Sequence, residues 1–236
     1  GLPWVFTVHS DDPLFWTVAQ ATRVKRAKGS FVAVSGHIAQ LLRDQQLDRQ
    51  PRVIPYGVPL SASTTGYGDQ PFKVVYSGRI TEEQKRISLV LQAMALACES
   101  DGRIECWLIG DGPEAAASKA WVEQRGLADR IRFAGRLDVV EVRRRVGAFQ
   151  AILLMSDYEG LGISLLEAMT CGVVPVVRGM PPVTEFVKNE ETGVVVNASP
   201  EQAAQAILRL LAEPSLWSRC SQGARAMVAN EYSEEI

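Results

Sequence analysis

Three stretches of this chain combine residue types and spacings that suit an anionic ligand. The first is Ser156-Asp157-Tyr158-Glu159-Gly160-Leu161-Gly162-Ile163-Ser164-Leu165-Leu166-Glu167-Ala168-Met169, directly after an apolar run ending at Met155. Gly160 and Gly162 let the backbone approach a ligand closely, and the helix predicted after them offers unpaired N–H groups and a positive dipole end. Glu159 and Glu167 are separated by ~12 Å if the span is helical, too far to share a proton and suited to two ends of one extended ligand. Each also fits a plainer reading, a solvated loop charge and an exposed helix face. The second stretch is Ser77-Gly78-Arg79-Ile80 followed by Gln84-Lys85-Arg86, again after an apolar run. Arg79, through its planar fork, and Lys85, as a point charge, could converge on phosphate where the loop turns into a helix, or could simply be solvated.

The third stretch, Leu108-Ile109-Gly110-Asp111-Gly112-Pro113-Glu114-Ala115, has the glycine spacing of a dinucleotide fingerprint. Pro113 removes an N–H where a pyrophosphate would sit, and Asp129 precedes the next strand instead of ending it, so a tight turn and helix start is the better reading. The two histidines, His9 and His37, each follow a strand, and His9 leads into Ser10-Asp11-Asp12. No His or Cys pair has metal-ligand spacing, and two adjacent aspartates more often cap a helix than hold a cation. Arg143-Arg144-Arg145 and the set Arg23, Lys25, Arg26 and Lys28 read as solvated helix faces, the latter also as a contact for an anionic membrane surface or acceptor.

These candidates need a folded scaffold, and the composition supplies one. Of 236 residues, 47% are apolar and 22% charged, which excludes a disordered tail, a collagen-like rod and a disulfide miniprotein. Twenty-five Lys and Arg against 27 Asp and Glu leave a net charge of −2, with no broad basic field for nucleic acid. No window reaches the roughly 18 apolar residues of a membrane span; Val146 to Ser156 is too short and reads as a buried strand with its flank. Cys98, Cys106, Cys171 and Cys220 are scattered and read as reduced core thiols in a reducing compartment.

After position 70, apolar runs predict strands over Lys73–Ser77, Ile104–Ile109, Ile131–Ala134, Ala151–Met155, Val173–Val177 and Gly193–Val196. Between them the spacing predicts helices over Ile87–Cys98, Glu114–Arg125, Val139–Val146, Ile163–Cys171, Val183–Val187 and Glu201–Leu211. Strands apolar on both faces that alternate with helices point to a doubly wound parallel α/β sheet. Residues 1–60 form a separate, incomplete unit: strand Trp4–Val8, a helix over about Asp12–Ala27, strand Phe31–Val34, a helix near Ile38–Arg43 and strand Val53-Ile54. Its strands are expected to lack sheet neighbours and to expose edges and apolar surface. Residues 61–71, rich in Gly, Ser and Thr, read as a connector or exposed loop, and residues 72–236 as the complete unit. The chain reads as starting within a domain, and Asn230-Glu231-Tyr232-Ser233-Glu234-Glu235 as the opening of a further helix.

Taken together, the chain resembles the retaining group-1 glycosyltransferases of the GT-B fold. The resemblance rests on Gly78-Arg79-Ile80 with Lys85, Leu108 through Pro113, Ile131-Arg132-Phe133-Ala134-Gly135, and Tyr158 through Gly162 with Glu167-Ala168-Met169. It continues through Cys171-Gly172-Val173-Val174-Pro175-Val176-Val177, Glu185-Phe186-Val187 and Thr192 through Val196, all in family order. Thr7-Val8-His9, Val32-Ala33-Val34-Ser35 and Val53 through Val58 resemble the end of the family's acceptor-side domain. The chain departs from the family at Tyr56, usually Asn, and at Arg86, usually Gly.

The resemblance implies a Rossmann-like donor domain, an incomplete Rossmann-like acceptor-side domain, and transfer of a hexose-type sugar from a nucleotide-diphosphate sugar with retention at the anomeric carbon. It puts the diphosphate against Gly78, Arg79, Lys85 and the amides of Gly160, Leu161 and Gly162. Glu159 then faces the sugar hydroxyls, Glu167 the ribose, Arg136 the base, and His9 the reacting sugar from across the cleft. It implies no cofactor and no metal, a glycan, lipid-linked sugar or small molecule as acceptor, and no nucleic acid partner. A role in bacterial polysaccharide or glycolipid synthesis follows, in the cytoplasm with peripheral contact at the inner membrane face; a chain lacking most of the acceptor side is expected to be inactive alone. A sugar-nucleotide epimerase of the same architecture and a non-catalytic nucleotide-sugar-binding fragment remain alternatives.

Overall fold

The computed structural model describes residues 5–12, 29–44, 50–68 and 71–234. The first unit holds strands β1 (Val5–Val8), β2 (Ser30–Ala33) and β3 (Arg52–Val53) and helix α1 (Gly36–Asp44), with the strands parallel in the order β1-β2-β3. The strand expected over Phe31–Val34 is therefore central, paired on both sides, and does not lack neighbours. Its apolar surface is also largely covered: Val8, Phe31, Ala33, Ile38 and Leu42 belong to one buried cluster with Leu161, Phe186 and Tyr232 of the second unit. Val5, Phe6, Val53 and Ile54 stay exposed, as expected for the edge strands. The helix expected over Asp12–Ala27, and with it the basic set Arg23 to Lys28, lies outside the described residues.

The second unit holds strands β4 (Phe72–Ser77), β5 (Ile104–Ile109), β6 (Ile131–Gly135), β7 (Ala151–Leu154), β8 (Val174–Arg178) and β9 (Val194–Val196). Between them run α2 (Ile87–Ser100), α3 (Ala115–Gln124), α4 (Val139–Val146), α5 (Ile163–Thr170) and α6 (Val183–Phe186), followed by α7 (Pro200–Ala212) and α8 (Pro214–Glu231). All strands are parallel, in the order β6-β5-β4-β7-β8-β9. Alternate residues feed opposite faces: Val74 and Tyr76 pack with α2 and α7, while Val75, Ile152 and Leu154 pack with α5 and the first unit. The order reverses between β4 and β7, so the loops leaving these strands diverge to opposite sides and open a crevice at their carboxyl ends, the usual ligand position of such sheets. Those loops carry Gly78 to Arg86 and Ser156 to Gly162.

The sequence reading misses α8. Its buried residues, Leu216, Trp217, Cys220, Ser221, Ala224 and Val228, are partly small and polar, and serines and Gly223 lower its intrinsic helicity. Pro214 at its first turn is the available signal. Asn230 and Glu231 end α8, and Ser233 forms a parallel bridge to Val58; the helix expected to open after Ser233 lies outside the described residues. Within the described part of the connector, Thr65 N donates to the Cys171 carbonyl at 2.8 Å and Tyr67 Oη to the Leu211 carbonyl at 2.6 Å, tying it to the second unit. All four cysteines are buried and free, with the Cys98 and Cys106 sulfurs 3.7 Å apart.

Gly223 separates propensity from packing. A Cβ there would collide with the Glu191 carbonyl oxygen, so Gly223→Ala should destabilise by about 1–3 kcal/mol through overpacking. Helix propensity alone predicts a gain of roughly 1 kcal/mol. Urea unfolding decides between them by the sign of the change.

Candidate functional site

The loop after β4 and the loop after β5 meet over the sheet. A Cβ on Gly110 would collide with the Gly78 carbonyl and one on Gly112 with the Ile80 carbonyl, so these glycines serve close backbone approach, as the tight-turn reading expects. Ile80 N donates to the Asp111 carbonyl at 2.9 Å, and Tyr76 Oη donates to the Arg79 carbonyl at 2.5 Å. Burial, then the Glu159 charge, pushes the Tyr76 phenol well above its usual range, so it stays a neutral donor. With the loop after β6 they border an open cavity of about 460 Å³ lined by Gly78, Arg79, Gly110, Asp111, Gly112 and Arg136. Arg79 and Arg136 thus face one space, although the resemblance assigns them to different parts of the ligand.

Lys85 does not line that cavity. Its Nζ donates to Glu159 Oε1 at 2.5 Å, and Ser156 Oγ donates to the same oxygen at 2.8 Å. Glu159 is buried, not a solvated loop charge, and its Oε2 receives no hydrogen bond among the described residues. The pair ties the β4 loop to the β7 loop, as do Asp157 N to the Gln84 carbonyl at 2.8 Å and Gln84 Nε2 to the Tyr158 carbonyl at 3.0 Å. Arg86 has left-handed backbone, φ 50, ψ 51, which explains why the resembled family favours glycine there. Its guanidinium lies 3.7 Å from Asp157, which also pairs with Arg178.

Gly162 is left-handed at φ 83 and opens α5, whose first turn carries no acid. The amides of Gly160, Leu161 and Gly162 have no protein acceptor among the described residues, which leaves three donors beside the crevice. Glu167, on α5, is set apart from Glu159; it accepts from Arg143 Nε at 2.9 Å and lines a small cavity of about 130 Å³ with Pro59, Leu60, Ser61 and Thr170. By sequence Arg143 belongs to a solvated basic face, and nothing in its local pattern points to Glu167.

The first unit closes the crevice from the other side. A Cβ on Gly160 would collide with the His9 carbonyl oxygen. The His9 ring stacks on Tyr56 with centroids 5.5 Å apart, and Tyr56 Oη hydrogen-bonds His9 Nδ1. His37 is held differently, with Nε2 2.7 Å from Asp11 Oδ2. Glu185, on α6, accepts from Gly36 N at 3.0 Å and His37 N at 2.6 Å, capping α1 across the crevice. The sequence reading assigns Glu185 no such task, because its partners lie 149 and 148 positions away. Among the described residues no group of three His, Cys, Asp or Glu side chains is arranged to hold a metal ion.

The Lys85–Glu159 pair makes a clear energetic prediction. With only 16% and 8% of the two side chains exposed, Lys85→Met should cost about 3–5 kcal/mol by stranding a buried carboxylate. Adding Glu159→Gln should recover most of that loss. Urea unfolding of the four proteins of this cycle checks it, and a loss below about 1 kcal/mol for Lys85→Met would put the pair among weak surface bridges.

The profile of the family "Glycosyl transferases group 1" matches residues 63–227. The chain is 31% identical over 170 residues to an alpha-D-kanosaminyltransferase from Streptomyces kanamyceticus, covering 71% of this chain and 43% of that protein. It is 32% identical over 154 residues to an N-acetyl-alpha-D-glucosaminyl L-malate synthase from Bacillus anthracis, covering 64% of this chain and 39% of that protein. The chain therefore spans less than half the length of these two relatives. Among solved structures, Anabaena HepE in complex with UDP and glucose superposes with a TM-score of 0.82 at 19% identity, over 98% of this chain and 68% of that one. With its fold matched to GT-B enzymes and more than half its length matched to the family profile, the chain belongs to the group 1 glycosyltransferases.

Proposed function

We propose that this chain carries the donor-binding half of an enzyme that transfers a hexose-type sugar from a nucleotide-diphosphate sugar to an acceptor, with retention at the anomeric carbon. The observation that carries this reading is one cavity over the carboxyl ends of β4, β5 and β6 that is lined by both Arg79 and Arg136, together with the β7-loop amides of Gly160, Leu161 and Gly162, which have no protein acceptor among the described residues. Two guanidinium groups and the amides of Gly160, Leu161 and Gly162 form a donor set suited to a diphosphate. In this reading the diphosphate takes those donors, with Gly78 giving the backbone room to approach. Its second charge reaches toward Lys85, and Glu167, oriented by Arg143, takes the ribose hydroxyls.

Glu159 has one oxygen engaged by Lys85 and Ser156 and the other open to sugar hydroxyls. Tyr56 Oη engages His9 Nδ1, which leaves Nε2 for a hydrogen bond to the sugar from the opposite wall. The reaction breaks the bond from the anomeric carbon to the diphosphate oxygen and forms one to the acceptor oxygen on the same face. The acceptor's proton passes to the departing phosphate oxygen, and the charge gathering on the diphosphate is met by Arg79, Arg136, Lys85 and the loop amides. We assign the cations the stabilising task that a metal performs elsewhere, with no cofactor. Kinship with kanosaminyl- and mannosyltransferases supports synthesis of a polysaccharide, glycolipid or small glycoside. No helix among the described residues is long and apolar enough to cross a membrane; we place the reaction in the cytoplasm, with an acceptor either free or carried at the inner membrane face.

Calorimetric titration of a nucleoside diphosphate tests the assignment. Arg79→Ala should lose a charge-assisted contact of about 1.5–3 kcal/mol, roughly 10- to 150-fold in affinity. Glu167→Ala should weaken the nucleoside diphosphate and the nucleotide sugar alike, whereas Glu159→Gln should leave nucleoside diphosphate affinity within a few fold. Unchanged affinity in Arg79→Ala, or equal losses in both glutamate variants, would contradict these roles.

A further inference from the structure

One face of the six-stranded sheet is incompletely covered. Only Val146 of α4 is buried, while Val139 and Val140 point to solvent. Between the end of α4 and strands β5 and β6 lies a third cavity, of about 250 Å³, which shares no residue with the cavity of Arg79 and Arg136. Its apolar bed is made by Ile109 and by the Trp107 and Phe149 rings, packed edge to face at 6.4 Å. The polar groups of its lining side chains are all donors or cations: Lys73, Arg144, Arg145 and the Trp107 indole N–H.

The two arginines bond Glu141, Arg144 through two N–H groups, while the other donors have no side-chain acceptor among the described residues. The Trp107 Nε1–H is buried and has no acceptor among the described residues, a costly arrangement for a polar group. Arg144 and Arg145 share one carboxylate, Glu141, at 2.7 and 2.5 Å. Lys73 has no carboxylate partner among the described residues. Three cations facing one carboxylate leave a rim with two positive charges in excess.

We propose that this groove is a binding site for a monomeric phosphate monoester with a hydrocarbon tail. At ~30 Å³ for each water-sized group, the cavity holds about eight such groups, a short alkyl segment lying on Trp107 and Phe149. A phosphate monoester carries ≈ −1.5 to −2 charge and three acceptor oxygens, which matches the rim's excess charge better than a carboxylate does. Its oxygens supply an acceptor for Lys73 and a second one for Arg144 and Arg145, which otherwise share Glu141. The site lies outside the donor crevice and is independent of the sugar-transfer reading.

Isothermal titration of the chain with octyl phosphate, below its micelle concentration, tests this. Octyl glucoside serves as the neutral-headed control and inorganic phosphate as the tailless one. Octyl phosphate should bind one per chain, at least tenfold more tightly than either control. Lys73→Gln with Arg144→Gln should weaken it at least tenfold, Trp107→Phe should weaken it measurably, and Arg79→Ala should leave it unchanged. Arg145→Gln alone, with thermal melts of every variant, covers the case in which the double variant fails to fold, and it should also weaken binding. Equal binding of octyl glucoside, full affinity in folded rim variants, loss of binding in Arg79→Ala, or no saturable binding at millimolar concentration would each overturn the proposal.

Discussion

The buried contact between Lys85 and Glu159 is the constraint on which the crevice depends. Neither charge is stable alone in so enclosed a place, and each comes from a loop on a different side of the strand-order reversal. Pairing them fixes how far the β4 loop stands from the β7 loop, and the backbone bonds through Gln84 hold the same separation. Ser156 completes the shell of the shared oxygen and leaves the other one available. A sheet of this order opens a crevice in any case; the ion pair ties together the two loops that flank it.

The opposite wall is set by backbone contacts more than by side-chain charge. The His9 carbonyl rests where only a glycine fits, at Gly160, and Glu185 reaches across to cap the first turn of α1. Tyr56 then fixes the His9 ring, at a position where the resembled family usually has Asn. The two units therefore share a buried cluster from Val8 to Tyr232, and the first unit is less exposed than its few strands suggest.

What the sequence reveals follows from the range of each interaction. The six strands and the helices between them are legible because β-branched runs and helical spacing are local, and the glycines of the β5 loop are legible because their turn is local too. Helix α8 is not, since its stripe is small and polar and its burial comes from distant partners such as the Gln150 carbonyl, which accepts from Trp217 Nε1. Lys85 and Glu159 both stand out as single residues, yet their pairing does not, because no local pattern links residues 74 positions apart. The same holds for Arg143 on Glu167, which composition alone presents as one more arginine in a basic run.

The most direct test is a crystal structure of this chain bound to a nucleoside diphosphate. The account predicts phosphate oxygens within about 3 Å of the Arg79 guanidinium and of an amide in the Gly160 to Gly162 loop, with the ribose beside Glu167. A diphosphate bound away from Arg79 and the loop amides, or a ribose that leaves Glu167 with Arg143 as its sole partner, would contradict it.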